Sequence, residues 1–268
     1  MPYRYAPVYL IAMLVLSALA FWPNYFSVIG SAPWTFHLHG LSSTVWMLLL
    51  MAQVLLIHNR QPRLHRLTGL TTLAVAPLFM AGGLLVIQTL LKSRADFALA
   101  YGTKIAAIDF VLMLAFAWLC YAALANRRNP ALHGGYFLVT PLLLTESILT
   151  RIITGNQRLN AMLPGPDSET QFDWAMGVSQ LLAIVLGLVA AAHYRRFPQP
   201  FYAIATLSAV AWAAYQFIGD TEPWIALMDA YRAMPQSLVA AIGLAIGIVA
   251  VVLGWKAGKP RVRSAATA

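Results

Sequence analysis

Long apolar stretches separated by short polar ones set the pattern of this chain. Bounded by Gly, Pro and charged residues, they fall near 7–26, 35–57, 67–91, 101–125, 136–153, 173–193, 201–219 and 236–255. A helix needs ~20 apolar residues to cross a bilayer, so the pattern predicts an all-α, polytopic transmembrane helix bundle of about eight spans in a single integral membrane domain. The fifth and seventh stretches are short, which predicts less tilt there than elsewhere. Composition agrees. The 268 residues are 60% apolar and 10% charged with a mean hydropathy of +0.69, whereas about a quarter of a soluble domain is charged. A soluble globular domain is excluded, and the spans leave no length for one beside them.

The net charge of +9 would suggest nucleic acid in a soluble protein. Here the charges lie between apolar runs, so they report orientation, and no nucleic-acid partner is expected. One set of connections holds Arg4, Arg60, Arg63, Arg66, Arg127, Arg128, Arg195, Arg196, Lys256, Lys259, Arg261 and Arg263 with no acid. The other holds Asp96, Asp167, Glu169, Asp173, Asp220, Glu222 and Asp229 among its basic residues. The positive-inside rule then places both termini in the cytoplasm, with the lipid bilayer of a bacterial inner membrane as the expected surroundings. Residues 1–20 also resemble a signal peptide, and are expected as a retained helix. Trp22, Tyr25, Trp34, Trp224 and Trp255 lie near span ends, where aromatic anchors sit. The lone Cys120 rules out an intrachain disulfide or a thiolate metal cluster.

Two basic loops echo each other. Asn59-Arg-Gln-Pro-Arg-Leu-His-Arg and Arg127-Arg-Asn-Pro-Ala-Leu-His-Gly both contain Pro-x-Leu-His, with Pro62 and Pro130 68 residues apart. Pro198 lies another 68 residues on, although Phe201 stands where the histidine would fall. The period predicts three related helical hairpins, 35–91, 101–153 and 173–219, with spans 7–26 and 236–255 outside them. Proline before a helix fixes φ, and the loop Arg and His residues can reach lipid headgroups. The matched positions of His65 and His133 also leave open a paired role, as axial ligands of haem b or as quinone contacts.

His39, Trp46 and Gln53 recur every seven residues, followed by Leu64-His65-Arg66-Leu67-Thr68-Gly69. Arg127-Arg128-Asn129-Pro130-Ala131-Leu132-His133 comes later, with Arg151 18 residues after His133 and Asp109 in the preceding helix. These motifs resemble those of a family of uncharacterised bacterial polytopic membrane proteins, over about half of the chain. The resemblance implies a membrane bundle and no particular reaction. Gly134 and Gly135, where the family carries Lys-Arg, and Thr68 and Glu146 depart from its pattern.

A charge in the hydrocarbon costs about 2.5–3.5 kcal/mol, so each should have a partner or a purpose. Lys104, Asp109, Glu146 and Arg151 are the candidates. With ~1.5 Å rise per residue, Asp109 is expected about 12 Å and Glu146 about 10 Å below the outer ends of their spans, and His37 and His39 roughly 3–6 Å down. Lys104/Asp109 and Glu146/Arg151 are each five apart, about 140° around a helix, so partners must come from other helices. One expectation is a structural network, Asp109 with Arg151 and Glu146 with Lys104 or a histidine. The other is a shared cavity in which His39, Asp109, Glu146 and Arg151 act chemically. A metal would draw on His37, His39, Asp109 and Glu146, although two histidines two apart face opposite sides of a helix. His39, Trp46 and Gln53 share one helix face, so Trp46 and Gln53, with His65 and His133, are candidate cofactor-binding residues.

Gly243 and Gly247 form a G-x-x-x-G suited to tight packing or a protomer contact. The loop 154–172 is a candidate lid or docking site, and 220–235 reads as an amphipathic surface helix. No phosphate loop, serine elbow or metalloprotease helix is present. The leading expectation is a membrane protein that binds a small amphiphilic ligand or redox cofactor, quinone or haem b, between spans 2–5. A proton-coupled transporter is the alternative. An accessory subunit with other membrane subunits, or with a second copy, as partner is the third.

Overall fold

The computed structural model describes residues 3–165 and 167–258. The basic Lys259, Arg261 and Arg263 lie outside this range. All described secondary structure is helical: α1 (Ala6–Phe21), a 3-10 turn (Phe26–Ser31), α2 (Trp34–His58), α3 (Pro62–Lys92), α4 (Asp96–Ala125), α5 (Pro130–Leu138), a second 3-10 turn (Thr140–Leu144), α6 (Thr145–Gly155), α7 (Gln157–Asn160), α8 (Ser168–His193), α9 (Gln199–Phe217), α10 (Glu222–Ala233) and α11 (Gln236–Ala257). Six helices are long and apolar enough to cross a membrane, or seven if α9 and α10, bent by 100°, are one span. α1, at 16 residues, is shorter. The chain is an α-helical membrane bundle.

Helices α3 and α4 form its centre. Small residues set how closely they approach their neighbours, as expected where lipid and side chains are equally apolar. A Cβ on Gly243 would lie 2.5 Å from the Ala81 Cα, and one on Gly247 2.5 Å from the Pro77 Cα. The G-x-x-x-G is thus occupied inside the chain, seating α11 on α3. Gly82 does the same for α2, where a Cβ would come within 2.9 Å of the His39 Cα. Thr35 Oγ1 and Thr89 Oγ1, 2.9 Å apart, close that hairpin at one end.

At the basic end the Tyr3 hydroxyl donates to the Ala131 carbonyl (2.7 Å), and its ring meets Tyr194 and Phe201. Gly135 leaves the space for it, since a Cβ there would lie 2.5 Å from the Tyr3 hydroxyl. This gives Gly135, one of the two departures from the resembled Lys-Arg pair, a packing role. Arg127 donates to the Trp255 carbonyl (2.6 Å), so both described ends of the chain reach the same end of the bundle.

Two expectations change. The fifth span runs from Pro130 to Gly155, and is not continuous helix over 136–153: Pro141 breaks it. Pro141 has no N–H for the Phe137 carbonyl, and the Thr140 hydroxyl donates to that carbonyl instead (2.7 Å), the usual repair inside a membrane. α10 is the expected amphipathic surface helix, exposed along most of its length with Met228 and Tyr231 turned into the bundle. Gln88 donates to the carbonyls of Tyr231 (3.1 Å) and Met234 (2.8 Å), and the Tyr231 hydroxyl donates to the Leu84 carbonyl (2.7 Å), which docks α10 on α3. The second change is that α4 starts at Asp96, 13 residues before Asp109. At ~1.5 Å per residue Asp109 is then about 20 Å from the start of α4, at mid-helix, deeper than the apolar pattern implies.

Candidate functional site

A cavity of about 140 Å³ lies among α1, α2, α3, α4, the second 3-10 turn and α6. The sequence order of its lining explains its position. His39 and Ser43 come from one face of α2, Gly83 and Ile87 from α3, and Asp109, Met113 and Phe116 from α4. Thr140 and Pro141 come from the broken span, and Ser147 and Arg151 from α6. Thr140 and Ser147, seven residues apart, fall close to one face of this span, so both reach the same wall.

The walls are aromatic and the polar groups few. The Phe79 and Phe116 rings lie 4.2 Å apart between centroids, and the His39 ring lies 4.9 Å from Phe79. Buried His39 Nδ1 has no hydrogen-bond partner among the described residues. Asp109 takes no hydrogen bond or ion pair from them either, although Glu146 and Arg151 are within electrostatic reach. Arg151 is the exposed member of the lining, its guanidinium 4.6 Å over the Phe21 ring and donating to the Ser147 carbonyl (2.9 Å). The lining is therefore least covered at Arg151, beside Phe21 of α1. It offers one cation, one carboxyl and one imidazole to whatever enters.

The structure brings together His39, Trp46, Asp109 and Arg151 and separates the rest. Trp46 lines the cavity by its ring alone, because its Nε1–H donates to Thr140 Oγ1 (2.9 Å). Glu146 is buried one layer behind the wall, where the Ser147 hydroxyl, on the lining, donates to it (3.2 Å) and Thr150 donates to its other oxygen (3.3 Å). His37 turns away to the Tyr25 hydroxyl (3.0 Å). Gln53 does not continue the stripe into the cavity. At the basic end, its oxygen accepts from Thr68 Oγ1 (2.6 Å) and Gly69 N–H (3.1 Å), while its nitrogen faces His65 Nδ1.

His65 and His133 do meet, with ring centroids 6.4 Å apart, but at the basic end and outside the cavity lining. His133 Nδ1 is 2.9 Å from the Ala123 carbonyl, which fixes its ring. Among the described residues no three His, Cys, Asp or Glu side chains gather as a metal-ion group. Nor does the expected ion-pair network form. Lys104 pairs with Asp173 (3.2 Å) and Asp220 (3.8 Å) and not with Glu146. No described residue of 154–172 lines the cavity.

Sequence reasoning passed over Phe79, Phe116, Met113, Ser43 and Ser147. The Gly82-Gly83 pair was the available signal, since adjacent glycines in a long apolar helix mark a close approach. Comparison of the chain with family models, with curated proteins and with solved structures finds no match in any of the three.

Proposed function

We propose that this protein spans a bacterial inner membrane eight times, with both termini cytoplasmic, and that its cavity holds the ring of a small amphiphilic redox molecule of the quinone type. Eight crossings fit two chain ends that meet at one end of the bundle, and the basic loops at that end fit the positive-inside orientation. The three hairpins read as copies of one unit on the 68-residue spacing of Pro62, Pro130 and Pro198.

One observation carries the ligand reading: a ring-sized, aromatic-walled cavity within the bundle whose ionisable lining is His39, Asp109 and Arg151. A cavity near ~150 Å³ accommodates a single six-membered ring, whereas a porphyrin is several times larger. Arg151 can donate to a carbonyl oxygen of a quinone, His39 Nδ1 can accept from the hydroxyl that reduction forms, and Asp109 can exchange the proton that reduction requires. In this reading an apolar tail leaves the cavity beside Arg151 and Phe21, where the lining is exposed.

The test is equilibrium binding of a short-tailed benzoquinone to the protein in lipid nanodiscs. One saturable site is expected, with affinity reduced about 10–100-fold in Arg151→Leu, the loss of one charge-assisted hydrogen bond of ~1.5–3 kcal/mol. Ser43→Leu, which fills space and removes no ionisable group, is expected to weaken it too. Non-saturable partitioning that is equal in all three proteins ends the proposal. The broken α5–α6 span at the cavity favours a second reading, a proton-coupled transporter, because interrupted helices line many transport sites. Solute-driven proton movement in vesicles, abolished by Asp109→Asn, supports that reading.

A further inference from the structure

Glu146 is a buried carboxyl beside the cavity that does not line it. It is buried in the α6–α8 seam with no cation in ion-pair contact. Arg151 and Asp109 are within electrostatic reach on the cavity side, and Tyr215 on the other. Its two oxygens accept from two hydroxyls, which a glutamine, with one carbonyl oxygen and an NH2 donor, would not reproduce. A carboxyl also adds an exchangeable proton.

Hydroxyl groups extend from it in both directions. Toward the cavity, Ser147 Oγ is 3.2 Å from Glu146 Oε2 and is itself part of the lining. Away from the cavity, Thr150 Oγ1 joins Glu146 to Ser179 Oγ (3.3 and 3.0 Å). Beyond lies Tyr215, fully buried by its ring, whose hydroxyl donates to Asp173 Oδ1 at 2.5 Å. The Asp173 side chain is 42% exposed at the acidic end and is held by Lys104, whose ammonium also sits 4.6 Å over the Tyr215 ring. Asp220 lies on the far side of Lys104, and Tyr101 within electrostatic reach of Asp173.

We propose that Asp173, Tyr215, Glu146 and Ser147 form a proton route between the acidic end of the bundle and the cavity. Asp173 collects a proton from water. Tyr215 takes it and releases its own toward Glu146, which is within its electrostatic reach but not hydrogen-bonded to it, so the route requires water at that step. Glu146 passes a proton to the Ser147 hydroxyl as Ser147 releases one into the cavity, where Asp109 receives it. Each relay group gains one proton and loses one, so all end as they began, and the single positive charge that enters at Asp173 is delivered to the Asp109 carboxylate. Its use in the cavity rests on the redox reading above, but the route itself is tested with no ligand present.

The experiment is attenuated-total-reflection infrared spectroscopy of the full chain in lipid films after a switch to deuterated buffer. A protonated-carboxyl band that is missing in Glu146→Gln is expected. Its deuterium shift should slow about tenfold in Tyr215→Phe, as ~1.4 kcal/mol on the barrier produces, and also in Asp173→Asn, but not in Thr35→Val, which lies off the route. Both route variants are required to keep the wild-type helical circular dichroism, and Asp173→Asn stands alone if Tyr215→Phe does not. The absence of a Glu146-dependent band overturns the proposal, as does an exchange rate equal to wild type in the folded variants. Failed quinone binding with slowed exchange would sink only the ligand.

Discussion

Thr140 holds the break in the fifth span and one cavity wall with a single hydroxyl, which makes Thr140→Val a sharp perturbation. The substitution is nearly isosteric and removes the donor to the Phe137 carbonyl (2.7 Å) and the acceptor of the Trp46 indole N–H (2.9 Å) together. Pro141 cannot supply the carbonyl with another N–H, and Trp46 and Thr140 are both buried. Membrane hydrogen bonds measured by double-mutant cycles average about 0.6 kcal/mol and reach ~1.7. Two of them, with no water to replace them, give an expected loss of about 1–3 kcal/mol. Equilibrium unfolding in mixed micelles of rising sodium dodecyl sulfate measures it. In the cycle with Trp46→Phe, a coupling near the single-bond value, about 0.6–1.7 kcal/mol, is expected. A Thr140→Val protein as stable as wild type, with no coupling to Trp46, would refute the view that side-chain hydroxyls hold this break.

Two further outcomes are expected. Gly247→Ala forces α3 and α11 apart, because its Cβ would meet the Pro77 Cα at 2.5 Å; a loss of about 1–3 kcal/mol, typical of overpacking, is expected in the same unfolding assay. At the exposed start of α8, Asp167 accepts from Thr170 N–H (2.7 Å), and these hydrogen bonds hold its carboxyl below the usual carboxylate range. A lowered folded value means the cap contributes above the ordinary pKa and is lost as pH falls through the folded one. Amide protection in the first turn of α8 should fall in acid, whereas Asp167→Asn, also a good cap, should remove the pH dependence.

The helices themselves were legible in the apolar pattern. α2, α3, α4, α8 and α11 each cover an apolar stretch, and α3 runs back through the basic loop to Pro62 because proline is well placed at a first helical turn. The pairing of polar groups was not legible. Lys104 answers Asp173 on α8, 69 residues away, and Gln53 answers Thr68 and His65 across the α2–α3 hairpin. Heptad spacing put His39, Trp46 and Gln53 on one face, but along 25 residues of α2 that face meets the cavity at one end and the basic loops at the other. Glu146 and Ser147 are adjacent in sequence, yet only Ser147 reaches the cavity, because neighbouring helical residues point about 100° apart.

From the sequence alone come the membrane class, the positions of the apolar helices and the contrast between basic and acidic ends, since water and lipid act on each segment separately and need no neighbour. Which helices touch, and so which of the few polar side chains share a space, is a property of the assembled bundle. Lipid competes equally for every apolar face, so lateral order depends on close approach at Gly82, Gly243 and Gly247 and on hydrogen bonds such as Trp46 to Thr140. Those contacts place His39, Asp109 and Arg151 around one cavity and leave Glu146 behind its wall.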